Sequence, residues 1–246
     1  MFFNSAGQAV YMTAALGVIL NQSNNTQKFF GGGQVDMKAK NVSDDTQCHT
    51  DDITAIAISS DRRWAASGQV GSAPACFVWD AQTGQKKQRF KLAKGARGVD
   101  AIGISGDGST VALVDRHDKH NVYVFNIDSG AGSSQPSGGN KIFDLQFSAA
   151  PGDNTFATVG SKHIKFWDPS TISGNNGVFG TAGEMTSFAC AAYDNQGTLY
   201  TGGANSMIYV WGSDRKLAST TKAHTGGFIS AMRWNNGKLY SGGKDG

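Results

Sequence analysis

Three residues near the end of the sequence have the types used in hydrolytic catalysis. His224, Ser241 and Asp245 could form a Ser/His/Asp set, in which the histidine takes the serine proton and the carboxylate orients the imidazole. No GxSxG motif accompanies the serine, so the sequence does not indicate a nucleophile elbow. The alternative is a structural role, because the same residue types form buried hydrogen-bond networks.

The other histidines give little indication of a metal site. His163 has no second histidine at ligand spacing, so a metal role is disfavoured. His117 and His120 lie in the segment RHDKHN, close to Asp115 and Asp118, and this cluster resembles a set of metal ligands. A solvated turn between two strands explains the segment more simply.

Cysteines and glycines argue against further catalytic chemistry. The 3 cysteines, Cys48, Cys76 and Cys190, are widely spaced and form no CxxC pair, which favours a reducing compartment over a disulfide framework. The runs at 31–33 and 202–203 follow strands, but no helix begins after them, so a phosphate loop is not indicated. The sequence predicts no enzyme activity, no cofactor and no metal.

Composition narrows the fold and the partners. The 246 residues include 33 glycines against 4 prolines, which favours a β-rich fold with many tight turns. The net charge of +3 is too weak to indicate nucleic-acid binding. The apolar run Ala9 to Leu20 could be the core of a signal peptide, but no Lys or Arg precedes it, and it is shorter than the ~20 residues needed to span a bilayer. It predicts two buried strands that meet near residues 14–17, with no membrane partner.

Four segments of the sequence end in the same aromatic pattern, written CFVWD, VYVFN, IKFWD and IYVWG. Their anchors, Trp79, Phe125, Trp167 and Trp211, are 46, 42 and 44 residues apart. A period of ~40–45 residues with a Trp-Asp ending is typical of WD40 β-propeller blades. Alternating segments such as ITAIAIS, residues 53–59, precede the anchors, so each repeat predicts four strands.

The predicted fold class is therefore all-β: a WD40 β-propeller, incomplete in this chain, with four full blades and a partial blade at each end. The predicted boundaries are residues 7–33 for a first blade without its first strand, 34–47 for a low-complexity insert, 48–92, 94–130, 140–171 and 183–223 for the four blades, and 224–246 for a truncated blade. Open blades would leave apolar sheet faces in water, at a cost of ~25 cal/mol per Å². We therefore expect the chain to be part of a longer polypeptide or a larger assembly.

The repeat also explains the apparent catalytic set. WD40 blades connect a histidine before the first strand, a Ser or Thr of the second strand and an Asp of the next turn to the tryptophan of the third strand, in a buried network. The sequence has residues of these types in this order at two places, which begin at His49 and at His224. The residues predicted to form the structural network of the blades are His49, Ser67, Trp79, Trp167, Trp211, His224, Ser241 and Asp245. A hydrolase that uses His224 and Ser241 is the alternative.

One segment, QKKQRFKLAKGAR at residues 85–97, carries six basic residues and no acidic residue. Strand alternation places Lys87, Arg89 and Lys91 on one face of an outermost strand. Protection of a sheet edge is one interpretation, and a binding surface for an acidic partner is the other. This candidate surface also includes two nearby arginines and is called the basic strip below. Its residues are Arg62, Arg63, Lys86, Lys87, Arg89, Lys91, Lys94 and Arg97.

Longer segments of the chain resemble one family. They occur in order and include VYMTAALGVILNQSNNTQKFF at 10–30, HTDDITAIAIS at 49–59, ASGQVG at 66–71, ARGVDAIGIS at 96–105, GSKHIKFW at 160–167, GVFG at 177–180 and the segment at 222–246. They are similar to the first propeller of the echinoderm microtubule-associated protein-like (EML) family. The insert at 34–47 departs from the pattern of that family.

The resemblance implies a non-catalytic module that binds tubulin or other proteins of the microtubule lattice. The resemblance also implies a location in the cytoplasm, on the cytoskeleton, where the microtubules of cilia and flagella are among the expected sites. Tubulin is strongly acidic, so the basic strip is the candidate contact. A general WD40 protein-interaction scaffold unrelated to microtubules is the alternative.

Overall fold

The computed structural model describes residues 1–31 and 47–245, and in these residues the ordered elements are all β-strands. The predicted insert at 34–47 lies outside the described residues, apart from Gln47. Across the described ranges, no helix has the length and apolarity needed to cross a membrane.

The strands belong to two compact units, residues 1–134 and 135–246. The strands of the first unit are β1 (Phe2–Phe3), β2 (Ala9–Thr13), β3 (Leu16–Asn21), β4 (Thr26–Phe30), β5 (Ile53–Ile58), β6 (Trp64–Gln69), β7 (Ala75–Asp80), β8 (Lys86–Lys91), β9 (Val99–Ile104), β10 (Thr110–Asp115), β11 (Asn121–Asn126) and β12 (Gly132–Pro136), which crosses the boundary. The second unit holds β13 (Ile142–Phe147), β14 (Phe156–Gly160), β15 (His163–Asp168), β16 (Ser173–Asn176), β17 (Phe188–Tyr193), β18 (Leu199–Gly203), β19 (Met207–Trp211), β20 (Leu217–Lys222), β21 (Ile229–Asn235) and β22 (Lys238–Gly243).

Consecutive strands pair antiparallel, so the described residues form five four-stranded sheets and one two-stranded sheet, β21-β22. This is the arrangement predicted for an incomplete WD40 propeller. The apolar run from Ala9 forms β2 and β3 as predicted, and Ala14 makes the turn between them with a φ of 47°. The structure adds one strand to the prediction, because Phe2–Phe3 pairs with β2 in the place of the first strand that the sequence did not show.

Trp79 anchors the core between the first two sheets of the first unit. Its side chain is fully buried and stacks on Phe30, with ring centroids 5.3 Å apart and an interplanar angle of 8°. Gly17 of β3 makes this approach possible, since a Cβ atom there would lie 2.6 Å from the indole ring. The sheets β5–β8 and β9–β12 share a second cluster, in which Phe90 stacks on Phe125 at 4.6 Å.

The second unit repeats this packing with its own aromatic residues. Trp211 is fully buried, and Phe188 packs edge-on against Tyr209 with ring centroids 5.0 Å apart. These residues belong to one apolar cluster built from strands β14, β15, β17, β18 and β19, with Leu217 of β20. Burial of apolar surface on both faces of a sheet explains why the inner strands have nearly continuous apolar sequences.

Candidate functional site: an outer basic strip on a hydrogen-bonded scaffold

The first predicted network is present in the sheet β5–β8. Trp79 Nε1 donates to Ser67 Oγ at 2.9 Å, and Ser67 Oγ lies 2.7 Å from His49 Nε2. His49 Nδ1 lies 2.8 Å from Gln69 Oε1, and the amide nitrogen of Gln69 donates to Thr50. These side chains are buried, so each polar atom of the network needs its partner.

The network also fixes the protonation of His49. The amide oxygen of Gln69 can only accept, so His49 Nδ1 carries a proton and donates to it. In the neutral ring, His49 Nε2 then accepts a hydrogen bond from Ser67 Oγ, which itself accepts from Trp79 Nε1. Burial disfavours the charged form, which keeps this ring neutral. Burial lowers the pKa of His49 from 6.5 to about 4, against a smaller opposing effect of the hydrogen bond with Gln69.

Threonine takes the place of the serine in the second unit. Trp167 Nε1 donates to Thr158 Oγ1 at 2.8 Å, and Thr158 Oγ1 lies 2.8 Å from His163 Nε2. Trp211 Nε1 likewise donates to Thr201 Oγ1 at 3.0 Å. Sequence reasoning singled out His163 only as a weak metal candidate and did not connect it with Trp167, although the spacing of four residues along β15 was the available signal.

The Ser/His/Asp set forms the same kind of network at an exposed position. His224 Nε2 lies 3.0 Å from Ser241 Oγ, and His224 Nδ1 lies 2.7 Å from Asp245 Oδ1. Backbone and side-chain donors of Thr225 also bond the Asp245 carboxylate, and together with His224 they hold its pKa well below the usual range. The distances suit a catalytic set, but His49, Ser67 and Gln69 have the same arrangement with a tryptophan on the serine. We therefore interpret the set as the exposed copy of a structural network.

The acidic residues in and beside the segment RHDKHN are hydrogen-bonded to residues other than its histidines. Asp115 is buried and accepts hydrogen bonds from the backbone and side chain of Asn121 and from the hydroxyl of Tyr123. Burial, with a contribution from Asp115, raises the pKa of Tyr123 to about 12. Asp118 accepts a hydrogen bond from Arg97 instead. Within the described part of the chain, no group of three or more His, Cys, Asp or Glu side chains could hold a metal ion.

The basic strip is centred on β8, the outermost strand of the sheet β5-β6-β7-β8. Sequence alternation placed Lys87, Arg89 and Lys91 on one face, and the register corrects this. A β-bulge between Val78 and Trp79 shifts the pairing, so that Trp79 lies opposite Lys86 instead of Lys87. Lys87 consequently approaches the Trp64 ring on one face of the sheet. Arg89 lies over Phe77 on the opposite face.

Lys87 and Arg97 of the basic strip are held in ion pairs of the first unit. Lys87 Nζ lies 2.7 Å from Asp128, and an Arg97 guanidinium nitrogen lies 2.8 Å from Asp118. Arg63 is stacked over Trp64 at 4.7 Å from the ring centroid. Arg62 and Lys94 are exposed in the turns that follow β5 and β8. The predicted strip is therefore several local environments rather than one continuous row.

The remaining basic residues border a cleft of about 490 Å³ at the outer edge of β8. Its lining residues are Gln47, Lys86, Arg89, Phe90, Lys91, Phe125, Gly130 and Gly132. Lys86 donates a hydrogen bond to the side chain of Gln47. The charged residues that the structure describes in this lining, Lys86, Arg89 and Lys91, are basic. Sequence reasoning found the basic residues but not the cleft, because residues from a second sheet complete it.

Comparison with known proteins assigns the class of this scaffold. The family model described as "Echinoderm microtubule-associated protein first beta-propeller" matches residues 47–246. The ciliary WD repeat-containing protein ctxp80 of Euplotoides octocarinatus is 47% identical over 248 residues, which cover 100% of this chain and 34% of that protein. The human echinoderm microtubule-associated protein-like 4 is 26% identical over 266 residues, covering 96% of this chain and 25% of that protein.

A sea urchin protein whose name also describes an echinoderm microtubule-associated protein is similar to this chain. The 77 kDa echinoderm microtubule-associated protein of Strongylocentrotus purpuratus is 24% identical over 264 residues, which cover 99% of this chain and 35% of that protein. The chain thus spans between a quarter and about a third of the length of these curated relatives. The sheets and the family match define a WD40 β-propeller protein. The chain belongs to the echinoderm microtubule-associated protein family, in the region of its first propeller, which confirms the resemblance found in the sequence.

Proposed function

We propose that this chain is a non-catalytic, microtubule-associated WD40 propeller module that binds tubulin or proteins of the microtubule lattice through its basic strip. The names of the relatives support microtubule association, and that of the 47% identical relative supports a ciliary setting. The site of action is accordingly the cytoplasmic cytoskeleton, with the axoneme of cilia or flagella as the specific location. The native protein is proposed to be longer than this chain or to work in a larger assembly.

The observation that carries the proposal is the uneven distribution of charge among the outermost strands. β8 has four basic residues in six positions, Lys86, Lys87, Arg89 and Lys91. The exposed strands β12 and β16 have the sequences GSSQP and SGNN, without any basic residue. Edge protection would apply to these strands as well. Concentration of charge on β8 therefore favours a binding role for this strand.

Microtubule co-sedimentation tests the proposal. Lys86→Gln, Arg89→Gln and Lys91→Gln together remove three charges from β8. If each exposed charge pair contributes about 0.5 kcal/mol, the triple variant should bind about tenfold more weakly. Binding of the unmodified chain should also weaken between 50 and 200 mM salt, since the Debye length falls to below about 10 Å over this range.

The matched control is Lys162→Gln, Lys222→Gln and Lys238→Gln, which removes three exposed charges from the second unit. This control should bind within about twofold of the unmodified chain, because exposed charges away from a contact contribute little. Equal binding by both triple variants and the unmodified chain would leave the strip with only an edge-protecting role. Failure of the unmodified chain to co-sediment would favour a general interaction scaffold instead.

A further inference from the structure

One end of the second unit exposes apolar side chains where its inner strands begin. Phe143 is the second residue of β13, Met185 lies in the loop before β17, and Phe228 immediately precedes β21. Their exposed fractions are 39%, 47% and 38%. Scattered apolar residues are ordinary on a protein surface, whereas several at one end of a unit are typical of an interaction surface.

Hydrogen bonds place these three residues at the same end. Asn140, before β13, donates to the carbonyl oxygen of Lys162 in the turn between β14 and β15. The backbone N–H of Lys162 donates to Ser187 Oγ, before β17. The turn between β18 and β19 is bonded to Ser187 and to Gly227, which precede β17 and β21. The loops before the three inner strands therefore form one connected surface of the unit.

A β-bulge accounts for the exposure of Phe143. The register of β13 with β14 shifts between Ile142 and Asp144, so Phe143 is the extra residue of the bulge and departs from the alternation of the strand. The Lys141 ammonium lies over the Phe143 ring, 5.8 Å from its centroid. Bulges re-aim side chains and are frequent next to binding sites.

The equivalent bulges of the first unit carry polar residues. They fall at Thr54 in β5 and at Asp100 in β9. Thr54 Oγ1 donates to the carbonyl oxygen of Val99 at 2.6 Å, and Asp100 Oδ1 accepts from Arg116 at 2.8 Å. Both side chains are engaged within the first unit, so an exposed apolar residue at this position is not a general consequence of the repeat.

Lysines surround the apolar residues of this end. They are Lys141, Lys162, Lys222 and Lys244. None of them forms an ion pair with a residue that the structure describes. The loops of this end also hold two acidic residues: Glu184 is exposed, whereas Asp245 is bonded by Thr225 and His224. Exposed apolar side chains among an excess of lysines are complementary to a segment that carries apolar and acidic side chains.

The spacing of the sheets sets the length of such a segment. β17 packs between β13 and β21, and packed sheets lie about 10 Å apart, so the first and third inner strands are separated by about 20 Å. An extended chain rises about 3.3 Å per residue, so about six residues span this distance.

We propose that this end of the second unit docks an extended segment of a partner protein in which apolar side chains alternate with glutamate or aspartate. The apolar side chains pack on Phe143 and Phe228, and the carboxylates pair with the lysines. This partner is additional to the microtubule contact proposed for the basic strip, and the inference does not rest on that contact.

Fluorescence anisotropy with a defined peptide tests this surface. The probe is a fluorescein-labelled peptide of nine residues, with phenylalanine at the second and eighth positions and glutamate elsewhere, titrated with the 246-residue chain. Phe143→Ser/Phe228→Ser should weaken its binding about tenfold, because two apolar contacts are lost. The matched control Phe3→Ser/Phe29→Ser removes two exposed phenylalanines of the first unit and should change the Kd less than about twofold. Thermal unfolding shows whether each variant is folded, and Met185→Ser repeats the test if the double variant is not.

A second peptide, with serine in place of both phenylalanines, should bind about tenfold more weakly than the first. Equal binding of the two peptides would reduce the surface to diffuse charge attraction and overturn the inference. No binding of the first peptide, or equal weakening by the variant and its control, would overturn it as well. Self-association of the chain that Phe143→Ser/Phe228→Ser abolishes, measured by sedimentation velocity, would assign the surface to a second copy instead. Loss of microtubule co-sedimentation in the same variant would assign it to the lattice and refute a separate partner.

Discussion

Substitution of Ser67 by alanine is the sharpest test of the buried network as a structural element. Ser67 is fully buried and its hydroxyl bonds both Trp79 Nε1 and His49 Nε2. Alanine fills nearly the same space, so the change removes hydrogen bonds without creating a large cavity. The indole N–H and one imidazole nitrogen then remain buried without their partner, which is more costly than losing an exposed hydrogen bond.

The magnitude follows from counting those two groups. A buried polar group left unsatisfied costs about 1–3 kcal/mol, so the two groups together should lower the free energy of unfolding of Ser67→Ala by about 2–6 kcal/mol. For a chain of this size, a loss of 1 kcal/mol lowers the Tm by about 2–4 °C, and the expected shift is about 4–24 °C. The effect should be measured by urea unfolding followed through tryptophan fluorescence and by thermal unfolding.

Ser241 provides a matched control in the exposed copy of the network. Ser241→Ala removes a hydrogen bond between side chains that solvent can reach, so the loss of stability should be less than about 1 kcal/mol. Equal effects of the two substitutions would contradict the argument that burial makes the first network important. A hydrolytic activity that Ser241→Ala abolishes, with unchanged stability, would refute the structural interpretation of the Ser/His/Asp set.

Two further predictions concern the first unit. Folding lowers the pKa of His49 from 6.5 to about 4, so the unfolded chain binds this proton more readily than the folded chain. The free energy of unfolding should therefore be highest well above pH 6.5 and should fall by ~2 kcal/mol at pH 5. Urea titrations at pH 7.5 and 5 should show this loss, and a His49→Gln variant should show a smaller dependence on pH. Gly17→Ala should destabilise the chain by about 1–3 kcal/mol, because its Cβ would lie 2.6 Å from Trp79, whereas Gly139→Ala, with no atom within 4 Å of the new Cβ, should change the Tm by less than about 2 °C. Equal melting temperatures of the two glycine variants would contradict the packing of Gly17 on Trp79.

The periodic features of the fold could be predicted from the sequence because they are local. The spacing of Trp79, Phe125, Trp167 and Trp211 predicted the repeat, and alternation of apolar residues predicted the inner strands. The short strand Phe2–Phe3 could not be predicted, since two residues carry no detectable period. It is defined by its pairing with β2.

The candidate site was only partly predictable, because its geometry depends on contacts between residues that are distant in the sequence. Composition identified the basic segment, but the β-bulge that places Lys87 and Arg89 on opposite faces of the sheet depends on the pairing of β7 with β8. The cleft depends on Gly130 and Gly132, which are distant from β8 in the sequence and reach it through packing of two sheets. The role of His163 required the position of Thr158 on the neighbouring strand.

The most direct measurement of the central claim is zero-length cross-linking of the chain bound to microtubules, with products identified by mass spectrometry. A carbodiimide joins a lysine amine to a carboxylate only where the two are in contact. A contact through the basic strip predicts that Lys86 and Lys91 form cross-links to acidic residues of tubulin or of a lattice protein, and that Lys162 and Lys238 in the second unit form few. Cross-links that occur mainly through Lys162 and Lys238, with none at Lys86 or Lys91, would contradict it.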